Sequence, residues 1–178
     1  MSHSSKQLMR VSTALLLVAS VASPCGAADF PPRKPGQWQV TMSSDKPDAP
    51  PRITDLCTDA ATDAALYKFA LGASSSMCSK NEIKGVGGGL YTVDAVCALG
   101  KTQLTLHGET TFAGNTAYRE EIRTHYDPPL RGRSDTLTVR EAKWTGACAA
   151  DMRPGDIVER PSPALPIGMR LNVNDMAK

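Results

Sequence analysis

Apolar and polar residues alternate with a period of two along most of this chain, a pattern that predicts strands rather than helices. Gln37 to Met42 and Arg52 to Leu56 read as short strands separated by the polar, Pro-containing stretch from Ser43 to Pro51. Ser79 to Gly85 and Leu90 to Cys97 flank Gly87-Gly88-Gly89, a composition that predicts a hairpin turn. The following hairpin turns near Gly114-Asn115 and carries its own register information. Leu104, Leu106, Thr110 and Phe112 share one parity. Across the turn Tyr118, Ile122 and Tyr126 form the apolar set, with Glu120 as the exception. A two-residue loop would set Leu106 opposite Arg123 and mix the faces. A three-residue loop pairs Phe112 with Tyr118 and Leu106 with Thr124, so the longer loop is predicted. Asp127-Pro128-Pro129 ends that strand, and Ser134 to Trp144 supplies another.

Two segments break the alternation. The Ala-rich stretch after Cys57 predicts a helix from Thr58 to Leu71, with Thr58 as N-cap, Asp59 favouring the dipole in the first turn, and Gly72 as the stop. Residues 157–178 contain Pro161, Pro163 and Pro166 without a sustained period and read as an extended or mobile tail. The expected fold is mainly β with one helix: an antiparallel meander forming a curved sheet or partly closed barrel over residues 29–156. Trp38, Leu104, Leu106, Phe112, Tyr118 and Ile122 are the candidates for its core or for lining a cavity.

The first 28 residues read differently. Lys6 and Arg10 precede an apolar run from Val11 to Val21, and Gly26-Ala27-Ala28 follows. This is the pattern of a secretory signal peptide, with cleavage expected after Ala28 and a periplasmic destination. The run is about half the roughly 20 residues of a membrane-spanning helix, so no transmembrane anchor is expected. Cys25 follows Ala22-Ser23-Pro24, a poor match to a lipoprotein cleavage box, so lipid attachment there is not expected.

Export changes the charge and the reading of the cysteines. Without Lys6 and Arg10, 18 basic residues balance 18 acidic ones. A formally neutral chain without a long basic run lacks the electrostatic footprint of a nucleic-acid binder. Cys57, Cys78, Cys97 and Cys148 remain, with no CxxC spacing. Four cysteines in an exported chain suggest disulfides, with three possible pairings. Folding the chain about Gly88 brings Cys78 opposite Cys97, which predicts that bridge and leaves Cys57–Cys148 as the second.

Catalytic patterns are weak. His107 and His125 fall on the polar face of the second hairpin with Glu109 and Glu121 nearby, but Arg119 and Arg123 sit among them, as on a solvated face. The glycine run has no Gly-Lys-Ser/Thr after it, and no G-x-S-x-G occurs. Met42, Met77, Met152, Met169 and Met176 are scattered rather than clustered for copper. No catalytic residue, metal or cofactor is assigned.

Three further segments carry a resemblance: Lys34-Pro35-Gly36-Gln37-Trp38-Gln39-Val40, Leu56-Cys57-Thr58, and Gly146-Ala147-Cys148 running on to Asp151-Met152-Arg153-Pro154-Gly155-Asp156. Together with the four-cysteine frame they resemble the proteobacterial periplasmic family called domain of unknown function 3617, over roughly residues 30–157. Gln37 and Gln39 stand where the family usually has Leu and Glu, and Thr58 directly follows Cys57. The resemblance implies an exported envelope protein and brings no catalytic residues. The expected function is non-enzymatic binding of a hydrophobic small molecule or lipid, or envelope support. The alternatives are a protein-interaction module using a strand edge or the C-terminal tail, and a small hydrolase or metal-dependent enzyme using His107, His125, Glu109 or Glu121.

Overall fold

The computed structural model describes residues 30–46, 48–163 and 165–176, with the backbone alone over 68–75. The segment expected to be an export signal, with Cys25 and the cut after Ala28, lies outside the described residues. The chain is mainly β. Nine strands, β1 (Gly36–Ser44), β2 (Arg52–Thr58), β3 (Cys78–Gly87), β4 (Leu90–Leu99), β5 (Thr102–Ala113), β6 (Ala117–Leu130), β7 (Arg133–Gly146), β8 (Asp156–Glu159) and β9 (Met169–Asn172), form one antiparallel sheet. The helices are α1 (Ala60–Ser75) and the single turn α2 (Val173–Met176). The strand order is β3-β4-β5-β6-β7-β1-β2-β8-β9, so the sheet is not closed and β3 and β9 are its edges. Helix α1 packs against β3 at one edge and against α2, which directly follows β9 at the other.

The alternation builds the meander as expected. Phe112 pairs with Tyr118 and Leu106 with Thr124 across a three-residue loop, and Gly87 pairs with Leu90 across the glycine turn. Cys78 lies opposite Cys97, and both bridges form, Cys78–Cys97 and Cys57–Cys148.

Three elements depart from expectation. Thr58 ends β2 rather than capping α1. Asp59 caps it instead: its carboxylate accepts from the Thr62 amide at 2.8 Å, and the Thr62 hydroxyl accepts from the Asp59 amide at 2.8 Å. The helix then runs through Gly72 to Ser75. Strand β6 continues past Asp127 to Leu130, with its ladder interrupted after His125. Finally, the Pro-rich segment expected to be a tail contributes β8 and β9. Ile157 pairs with Leu56 and with Leu171, extending the sheet beyond β2.

The inner face carries a packed core and, bordering it, a hollow that shares Val40, Leu56, Tyr118 and Ile157 with that core. Strand β1 inserts between β7 and β2, which places Trp38 beside Leu56 and Trp144. Trp38, Leu56 and Ala142 form the packed core, supported by Val40, Tyr118, Trp144 and Ile157. The family-like motifs serve this core. The Trp38 indole donates to the Lys34 carbonyl at 2.8 Å, and the Trp144 indole to the Pro35 carbonyl at 2.9 Å. Gly36 has φ +126°, and a Cβ there would collide with the Gly146 carbonyl and Trp144.

Candidate functional site

The hollow lies where small residues meet under α1. On β4 and β5 the inward positions are Val93, Ala95 and Cys97, then Leu106, Gly108, Thr110 and Phe112. The next strands add Tyr118, Glu120, Ile122 and Arg140, then Val40, Met42, Thr54 and Leu56. Together with Phe30, Leu66 and Tyr67 they bound a cavity of about 510 Å³ that is partly open to solvent. This is within the range of roughly 300–1,000 Å³ found for small-molecule sites.

Aromatic rings close the side nearest the helix. Phe30 stacks at 5.2 Å from Tyr67, 5.6 Å from Tyr91 and 5.8 Å from Phe112. Its segment is pinned just after it: Arg33 binds the helix, and the Lys34 amide donates to the Asn115 carbonyl at 2.8 Å. Arg33 donates its backbone N–H and its Nε–H to the Asp63 carboxylate, at 3.0 and 2.6 Å. Its guanidinium lies 4.8 Å from the Tyr67 ring, with the Trp38 and Tyr118 rings beyond.

The charged groups facing the hollow are paired, and one buried neutral group is not. Glu120 is the residue that breaks the apolar parity of β6, and it sits directly opposite Arg140, whose guanidinium donates to it at 2.8 Å. The hydroxyl of Thr110 donates to the same carboxylate at 3.4 Å. Further along the inner face Arg52 makes a bidentate pair with Glu159, both bonds 2.6 Å, which holds the Glu159 carboxyl below the usual carboxylate range. That neutral group is Tyr67: its Oη is buried and finds no partner among the described residues. Burial pushes the Tyr67 phenol up, against the pull of Arg33, so it stays protonated and can donate. Burial raises the Tyr118 phenol as well.

Of the six residues proposed from sequence, Leu106, Phe112, Tyr118 and Ile122 line this cavity. Trp38 lies instead in the packed core, and Leu104 shares the inner face but is not among the lining residues. Sequence reasoning missed Phe30, Arg33, Tyr67, Gly108 and Arg140. Two signals pointed that way: a carboxylate on the apolar parity of β6, which needs a cation opposite, and a glycine within an alternating strand.

The polar outer face has a different character. His107 meets Asp94 at 2.8 Å and Glu109 at 3.9 Å, while His125 meets Asp135 at 2.9 Å. The two histidines share the outer face but bind separate partners. Glu109 and Glu121 pair across strands in an exposed groove with Arg119, which binds Glu121 at 2.6 Å and Glu141 at 3.6 Å. The hydrogen bond from Arg119 holds the Glu121 carboxyl below its usual range. Among the described residues no group of three His, Cys, Asp or Glu is placed to hold a metal ion.

Fold and site thus define a disulfide-braced, unclosed antiparallel sheet with a helix across its opening and a largely apolar hollow beneath. Residues 33–148 match the family described as protein of unknown function (DUF3617), and the chain belongs to that family. No curated protein and no solved structure matches the chain. No described helix is long and apolar enough to cross a membrane.

Proposed function

We infer that this is an exported, periplasmic protein that binds a hydrophobic small molecule or lipid between the sheet and α1, without catalysing a reaction. The observation that carries the reading is the hollow of about 510 Å³ on an otherwise packed inner face, lined mainly by aliphatic and aromatic side chains. A strand alternation that served packing alone would fill this space. Two disulfides and a signal-like leader support export. At the β3 edge the strand-edge alternative gains little, since β3 presents Lys80, Glu82 and Lys84, charges of the kind that discourage edge pairing.

Native mass spectrometry on protein released gently from the cell envelope tests the whole reading. The expected species begins at Asp29, has four hydrogens fewer than the reduced chain, and carries a discrete adduct. A bare chain that also fails to give saturable fluorescence enhancement of N-phenyl-1-naphthylamine would overturn ligand binding.

A further inference from the structure

The charges around the hollow define what can enter it, an inference that rests on the binding reading above. Three guanidinium groups face the inner side of the sheet, and each already has a carboxylate: Arg33 with Asp63 at 2.6 Å, Arg140 with Glu120 at 2.8 Å and Arg52 with Glu159 at 2.6 Å. The Arg33–Asp63 pair is 5% exposed on both sides, so neither partner is free to turn toward a ligand. A carboxylate or phosphate entering here would leave water without meeting an uncompensated cation. An ammonium would likewise meet no free anion. The remaining lining groups able to hydrogen-bond are neutral: Tyr67, Tyr118, Thr54, Thr110 and Asn81. Among them the Tyr67 hydroxyl is buried with no partner among the described residues. A buried donor without an acceptor is costly, and a ligand oxygen would satisfy it.

The geometry points to an uncharged amphiphile as the ligand: an apolar chain lying along Val93, Leu106, Gly108 and Ile122, with an ester, carbonyl or hydroxyl oxygen accepting a hydrogen bond from Tyr67. Specificity in such a site comes from one neutral bond and from the exclusion of ions.

The test is competition against N-phenyl-1-naphthylamine by three ligands with the same chain and different heads, monoolein, oleate and oleylamine, each below its aggregation threshold at neutral pH. Monoolein should displace the probe at least tenfold more effectively than either ion, the ratio of roughly 1.4 kcal/mol expected for one unpaired buried group. Tyr67→Phe should weaken monoolein about fivefold while leaving the probe unaffected, and should make the ligand-free protein no less stable, because it removes an unpartnered hydroxyl. Glu120→Gln frees Arg140 and should strengthen oleate at least threefold without strengthening monoolein. Equal or better displacement by oleate in the wild type, or full monoolein affinity in Tyr67→Phe, overturns the ligand class while leaving the binding site intact. Failure of the probe itself to bind overturns the site.

Discussion

Arg33 and Asp63 show how one buried contact can tie three parts of this chain together. Arg33 comes from the lead-in before β1, Asp63 from the first turns of α1, and the guanidinium is surrounded by Tyr67, Trp38 and Tyr118. Burial opposes the charge on Arg33, but the Tyr67, Tyr118 and Asp63 oxygens outweigh it and its pKa rises. Replacing Asp63 by Ala leaves a cation with no counter-charge in a site that is 5% exposed, which should cost about 3–5 kcal/mol. Chemical denaturation measures this as a lower midpoint at unchanged slope. The double variant Arg33→Met/Asp63→Leu removes both charges and should recover most of the loss; a double variant as unstable as the single one would mean that the aromatic surround, not the ion pair, holds the lead-in. Neither residue was legible as a pair in the sequence. An acid early in a helix is already explained by the helix dipole, and an Arg beside prolines reads as linker. Glu120 was more legible, since its wrong parity on β6 demanded an explanation that Arg140 supplies.

At the scale of elements, legibility followed local redundancy. The β5–β6 register could be read because alternation and loop length gave the same answer, and the Cys78–Cys97 bridge because the glycine turn fixed its geometry. The start of α1 was misjudged because Thr58 and Asp59 are both good caps, and only the extent of β2 decides between them. Gly72 was misjudged as a stop because a glycine costs a helix only about 1 kcal/mol, which packing can override. Strands β8 and β9 have four residues each, too short for a period; the pairing of β8 with β2 and of β9 with β8, and Arg160 reaching Asp55 at 2.7 Å, specify them instead. The bridges bracket α1, Cys57 just before it and Cys78 just after. They close loops of very different length, with sequence separations of 91 and 19. Chain entropy alone assigns about 4.6 kcal/mol to Cys57–Cys148 and about 3.2 kcal/mol to Cys78–Cys97. Double Cys→Ala variants of each bridge, compared by denaturant unfolding, should therefore lose stability in that order. The reverse order would show that native contacts around the β3–β4 hairpin matter more than the constraint on the unfolded chain.

On the scale of the whole molecule, one face of one sheet has to supply both a core and a cavity, and sequence alternation alone cannot distinguish the two because inward residues look alike in both. The division depends on side-chain volume across the sheet: Trp38 fills the core with Ala142, whereas Ala95 and Gly108 leave space beside it, and Leu56 borders both. Gly108 is the most telling of these. Its backbone does not require glycine, and a Cβ there would sit 3.7 Å from both Ile122 and Val93, an ordinary contact. Glycine within a strand sacrifices about 0.5–1 kcal/mol of stability. A fold selected for stability alone has no reason to keep one where a larger residue fits. Gly108→Leu should therefore fold with stability equal to the wild type or up to about 1 kcal/mol higher, while its side chain occupies the hollow and lowers probe affinity at least tenfold. Gly108→Ala should fall between the two in binding and guards against a leucine that overpacks the site. Thermal unfolding and probe titration on the same samples separate the two effects. A stable Gly108→Leu that binds as well as the wild type would mean that ligands bypass the hollow, and that its volume reflects loose packing beneath α1 rather than a built site.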